Sequence, residues 1–147
     1  MKNIITAALI ALTVLATGCG RGALYITDNG ALDGYDAVAL LEDGQARTGV
    51  ETLAVDLDGQ TWLFETAENK DAFEADPEAY VPAYGGWCAI AMGVGLKIKS
   101  DPETVMLVDD TVYLFANHDA RADFEADLDA SIAKADARWA KKIDAVE

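Results

Sequence analysis

One histidine, two cysteines, three prolines and eleven basic residues are all that this 147-residue chain holds of those types, and each shortage excludes something. A structural zinc site needs four thiolate or imidazole ligands, which this inventory cannot assemble. With His118 as the lone imidazole, no Ser-His-Asp arrangement can be argued, and no residue is assigned a catalytic role. The glycines at 85, 86, 93 and 95 lack the spacing of a Walker loop or a dinucleotide fingerprint, and no acidic stretch matches a Ca²⁺ loop. Eleven Lys and Arg against 26 Asp and Glu give a net charge of −15, a surface that repels nucleic acid and anionic lipid headgroups and concentrates cations. The acids are spread along helical stretches rather than grouped at ligand spacing, as on a solvated face. Few prolines and 52% hydrophobic content fit one compact domain with a modest core.

The apolar run from Ile4 to Thr17, preceded by Lys2, is too short to span a bilayer as a helix and reads as a signal segment over residues 1–18. Ala16-Thr17-Gly18-Cys19 resembles the lipobox of bacterial lipoproteins, although Ala16 stands where Leu is usual. The resemblance implies cleavage before Cys19, diacylation of its sulfur and attachment to a membrane leaflet, and Gly20 in the next position implies the outer membrane. The alternative is an ordinary cleaved signal with a soluble product. Cleavage leaves 26 acidic against 10 basic residues, a charge of −16. Residues 19–30 then form a lipidated tether and residues 31–147 the domain.

Asp33 is placed to cap a short helix bearing Tyr35, Val38, Ala39 and Leu41. Thr52 to Phe64 reads as a hairpin around Asp58-Gly59, and Thr66 caps a helix carrying Phe73 to the core. The same plan recurs at an offset of 51 residues. Asp58/Asp109, Leu63/Leu114, Phe64/Phe115, Phe73/Phe124, Glu74/Glu125, Ala75/Ala126 and Asp76/Asp127 are identical pairs, seven within nineteen positions. The fold class is therefore α+β: two pseudo-repeated hairpin-plus-helix units forming a small antiparallel sheet. A long C-terminal amphipathic helix, capped by Asn117, carries Phe124, Leu128, Ile132, Ala135, Trp139 and Ile143 along one stripe.

Between the two copies lies Tyr84-Gly-Gly-Trp-Cys88, where Gly85 and Gly86 permit a sharp turn or close approach. If Cys88 opens a short helix, Met92 falls one turn further along the same face. Thiolate and thioether at that spacing suit Cu(I), and they equally suit plain core filling. With Cys19 assigned to a lipid, Cys88 has no intramolecular partner in a compartment where disulfides form. His118, at the first turn of the long helix, and Met106, on the second hairpin, are the other candidate donors. Tyr84 and Tyr35 can hydrogen-bond near the thiol or pack with their hydroxyls satisfied elsewhere.

Gly34-Tyr35-Asp36-Ala-Val-Ala39, Phe73-Glu-Ala-Asp-Pro-Glu-Ala-Tyr80, Pro82-Ala-Tyr-Gly-Gly-Trp-Cys-Ala89 and Ala135-Asp-Ala-Arg-Trp139 resemble the YHS-domain family in its longer exported bacterial branch. The likeness runs from about Ala31 to Trp139. Shorter YHS domains occur in copper-transporting ATPases, and some exported relatives carry selenocysteine at the position matching Cys88. The resemblance thus implies soft-metal or redox work at Cys88. Short metal-binding YHS domains carry a second Cys after an Asp-Pro-Val run, and here Asp36-Ala-Val-Ala39 has none.

These residues lead to a membrane-anchored periplasmic metal-binding protein, with copper the expected metal, that binds Cu(I) through Cys88 with Met92 or His118 and is supported by Tyr84, Gly85, Gly86, Trp87 and Tyr35. A thiol redox protein or oxidant sensor is the second reading, weakened by the lack of a resolving Cys. A non-catalytic interaction module with Cys88 buried is the third. The sequence names no protein partner.

Overall fold

The structure, a computed structural model, describes residues 24–144, so the signal segment and Cys19 lie outside it. A two-residue hairpin, β1 (Ile26–Thr27) and β2 (Gly30–Ala31), leads into α1 (Ala37–Glu42). The first repeated unit follows as β3 (Val50–Leu57), β4 (Gln60–Phe64) and α2 (Ala67–Ala75). A short helix, α3 (Ala89–Gly93), precedes the second unit, which is β5 (Asp101–Val108), β6 (Thr111–Phe115) and α4 (His118–Glu125), and α5 (Leu128–Asp144) closes the described chain.

All four repeated strands, and the start of each repeated helix, keep the offset of 51. Thr66 and Asn117 cap their helices in the same way, accepting the N–H of Asn69 and of Ala120. Both hairpins carry a register irregularity, between Val50 and Ala54 and between Asp101 and Met106. Their turns are alike too, with left-handed Asp58-Gly59 in one copy and left-handed Asp109-Asp110 in the other.

The hairpins do not join into one sheet; each is its own two-stranded antiparallel ladder. Other segments cover the edges that would have met. Cys88 makes a parallel bridge to Leu114 on the free edge of β6. The Gly30 backbone lies so close to Thr61 on β4 that a Cβ at position 30 would sit 2.5 Å from the Thr61 carbonyl. Edge strands left bare are pairing hazards, and these are not bare.

Each repeat builds its own aromatic core. Phe73 of α2 packs on Trp62 and Phe64 with ring centroids 4.7 and 5.0 Å apart. Phe124 of α4 packs in the same way on Tyr113 and Phe115, at 5.6 and 5.2 Å. Strand β6 separates the two cores: Val112 and Leu114 face the first, Tyr113 and Phe115 the second. That explains why Val-Tyr-Leu-Phe is apolar without alternation, as expected for a strand buried on both faces.

Three further expectations change. Asp36, not Asp33, caps α1, and its buried carboxylate accepts the N–H groups of Val38 and Ala39 at 2.9 and 3.1 Å. Asp33 instead accepts from Thr27 and Asn29 within the β1–β2 turn. The long helix divides at 126–127 into α4 and α5, with Phe124 and Ala135 fully buried and Leu128, Ile132 and Trp139 half-buried. The folded region also begins before residue 31. Tyr25 is 4% exposed and donates its N–H to the Gly85 carbonyl at 2.7 Å, because its ring has Trp87 to pack against at 5.1 Å.

Candidate functional site

Tyr84, Gly85 and Gly86 all have left-handed φ, at 58°, 62° and 85°. Three such residues in succession reverse the chain tightly, and a non-glycine among them costs about 1–2 kcal/mol. The Tyr84 hydroxyl offsets that cost by donating to Asp136 of α5 at 2.9 Å, while its ring meets those of Tyr113 and Trp139. A second left-handed run, Leu32-Asp33-Gly34, packs against the first through the Leu32 side chain at Gly86. The Gly86 carbonyl accepts from the buried Ser100 hydroxyl.

Cys88 then opens α3 as its N-cap residue, and the Met92 N–H donates to the Cys88 carbonyl at 3.1 Å, so the two sulfur residues stand one turn apart as their spacing predicts. The Cys88 N–H donates to the Ile98 carbonyl, which ties the helix start to the loop beyond its end. Cys88 is a free thiol, 1% exposed, and Met92 is fully buried. Met106 of β5 belongs to the same cluster, with Tyr84, Tyr113, Phe115 and Phe124 around it.

The remaining expected site residues lie elsewhere. His118 is exposed at the first turn of α4, outside the sulfur cluster. Tyr35 points its hydroxyl to Glu103 at 3.5 Å, and Tyr84 uses its own on Asp136, so both hydroxyls have carboxylate partners. Trp87 lies half-buried between Tyr25 and the Lys97 ammonium, 5.7 Å from its ring. Among the described residues, no three of His, Cys, Asp and Glu converge. An open groove beside Ile26–Gly30, Thr48–Gly49 and Gln60–Thr61 is lined by neither Cys88, Met92, Met106 nor His118.

Sequence reasoning missed three buried polar groups. One is the Asp36 carboxylate. Ser100 is another, and the third is Thr104, whose hydroxyl fills the gap in the β5–β6 ladder by accepting the Phe115 N–H at 2.9 Å. A small hydroxylated residue within an apolar strand was the available signal for Thr104.

All five tyrosines resist ionisation. Burial comes first in each case, with carboxylates adding to it: Asp136 for Tyr84 and Tyr113, Glu103 for Tyr35, Glu42 for Tyr80 and Asp33 for Tyr25. Each folded-state pKa thus lies above the unfolded value of 10.0, so the native chain holds protons that the unfolded chain releases. Stability is complete below that value and falls as pH rises through and beyond it. Absorbance at alkaline pH is expected to show phenolate appearing above pH 10 and together with unfolding. Independent titration of all five near pH 10 in folded protein contradicts this.

No family model, curated protein or solved structure matches this chain. The likeness to the YHS family accordingly rests on the motifs quoted above.

Proposed function

We propose that this protein is a membrane-anchored periplasmic metal-binding protein, and that Cys88 holds one Cu(I) with Met92 and Met106. The observation that carries the proposal is the gathering of the one free thiol among the described residues and two thioethers into a single buried cluster. The donor set fits a soft monovalent ion. One thiolate cancels its charge and thioethers are neutral, so the loaded site brings no net charge into an apolar core. A divalent ion in the same set leaves a positive charge uncompensated there. His118 is the less suitable donor because it stands exposed outside the cluster.

The YHS-like motifs and the lipobox-like Ala16-Thr17-Gly18-Cys19 support the same reading, with attachment through Cys19 to the periplasmic face of the outer membrane. Entry of the ion requires local opening of α3, a five-residue helix that ends on Gly93 and is followed by the left-handed Gly95.

Anaerobic Cu(I) titration against a competing chelator tests this. Wild-type protein is expected to take up one equivalent with thiolate-to-copper absorption, and Cys88→Ala to lose it. Replacing Met92 or Met106 by Leu is expected to weaken binding about tenfold or more, the scale of a lost ligand-shell contact. Equal stoichiometry and affinity in Cys88→Ala ends the proposal. It would favour a non-catalytic interaction module instead, a reading supported by the 1% exposure of Cys88. The same enclosure weighs against a thiol that meets oxidants or a redox partner directly.

A further inference from the structure

The loop after α3 and the second half of α5 form one surface whose composition differs from the rest of the molecule. Of five large apolar side chains left exposed among the described residues, three are Val94, Leu96 and Ile98. All three fall within five residues of one loop, with Val94 in the turn that closes α3 and Leu96 and Ile98 just beyond the left-handed Gly95. Lys99 follows them, and Lys134, Arg138 and Lys141 stand at i, i+4 and i+7 along one face of α5, where neighbouring turns align. The two stretches touch: a Cβ at Gly93 would lie 3.7 Å from the Lys134 side chain, and one at Gly95 would lie 3.8 Å from that of Arg138. Lys97 lies over Trp87 and Trp139, at 5.7 and 6.0 Å, which joins loop and helix. Burial and then the neighbouring Lys142 ammonium push the Lys97 pKa down.

In a chain of net charge −15 this clustering is unusual. Nine basic residues occur in the described chain, and six of them lie at 97, 99, 134, 138, 141 and 142. Within 89–99 and 134–142 the one acid is Asp136, which is engaged by Tyr84. Lys99, Lys134, Arg138 and Lys141 form no ion pair among the described residues.

We propose that this surface docks on an anionic lipid bilayer, with Val94, Leu96 and Ile98 entering the headgroup region and the surrounding cations meeting phosphate. Exposed apolar residues ringed by Lys and Arg are the composition of interfacial binding. Chain geometry agrees. Tyr25 packs on the Trp87 ring that Lys97 also covers, so the chain enters the fold at the border of this patch. Cys19 precedes Leu24 by five residues, a reach of at most roughly 17 Å. A membrane anchor at that point brings the patch to the bilayer rather than to open solvent. The inference rests on the anchored reading of the N-terminus and is independent of copper.

The test uses the full-length chain with vesicles of phosphatidylcholine, with and without phosphatidylglycerol, and brominated acyl chains to quench tryptophan. Flotation reports anchoring, and quenching of Trp87 and Trp139 reports docking, while buried Trp62 supplies a constant background. Quenching is expected in the anionic vesicles, with loss in high salt. Leu96→Asp with Ile98→Asp should abolish it, and Val50→Asp, at another exposed apolar site, should not. Neutralising Lys99, Arg138 and Lys141 to Gln should lower the docking constant on the order of a hundredfold, at roughly fivefold per lost charge. Flotation without composition-dependent quenching overturns the docking proposal alone, and absence of flotation overturns both it and the anchor. Shielding of Trp87 that rises with protein concentration in the absence of vesicles assigns the patch to a second copy and also overturns it.

Discussion

Asp36→Ala is expected to lower folding stability by about 3–5 kcal/mol, the cost of breaking a buried, fully partnered charge site. The carboxylate is wholly enclosed and serves four donors. One oxygen accepts the Val38 and Ala39 N–H groups at the start of α1. The other accepts the Glu65 N–H at the end of β4 and the Asn69 side-chain amide in α2, both at 2.8 Å. One side chain thus joins α1, the first hairpin and the first repeated helix. Alanine leaves the buried Val38 and Ala39 N–H groups without an acceptor and takes from Glu65 and Asn69 the partner that ties them to α1. Asp36→Asn separates charge from shape: its oxygen can keep the α1 cap, but its NH₂ then meets donors at Glu65 and Asn69. A loss of roughly 2 kcal/mol or more is expected for it, since two donors lose their acceptor. Urea unfolding with an unchanged slope measures both. A loss below about 1 kcal/mol for the alanine variant contradicts the picture, because that is the worth of an ordinary exposed cap.

Asp36 also shows where sequence reasoning stops. A capping rule asks for Asp ahead of an apolar run, and Asp33 and Asp36 both satisfy it. What separates them lies 29 and 33 residues further on, in the Glu65 and Asn69 donors, and no local pattern encodes that distance. The duplicated unit was legible because identical aromatics recur at a fixed offset. Trp62, Phe64 and Phe73 make the same contacts in one core that Tyr113, Phe115 and Phe124 make in the other. The pairing between units was not legible. Two hairpins suggest one sheet, but the edge of β6 is taken by Cys88, a contact set by the intervening turn. Local spacing correctly puts Met92 one turn beyond Cys88, while the enclosure of both depends on β6 having two buried faces. Tyr25 reads as tether in the sequence because its partners, Gly85 and Trp87, lie about sixty residues away.

Gly86→Ala is expected to be the other severe substitution, costing roughly 2–5 kcal/mol: about 1–2 for a Cβ in left-handed backbone, with a further 1–3 for overpacking. At φ 85° an added Cβ would lie 2.5 Å from the Leu32 Cδ2 atom, with Tyr25 and Leu114 side chains behind it. Leu32 cannot retreat easily, being fully buried and itself at φ 51° in the opposing left-handed turn. Gly59 provides the comparison, since it has φ 77° and an added Cβ there would meet nothing within 4 Å, so Gly59→Ala isolates the backbone cost. The difference between the two variants measures how closely the turns meet. Leu32→Ala alone should cost about 2–5 kcal/mol by opening a cavity, yet combined with Gly86→Ala the losses should fall short of additive, because the new methyl occupies space that Leu32 vacated. Full additivity, or a Gly86→Ala cost no larger than that of Gly59→Ala, would mean that the turns are not in contact. The two left-handed turns would then not be what seats Cys88 against β6, and its enclosure would need another cause.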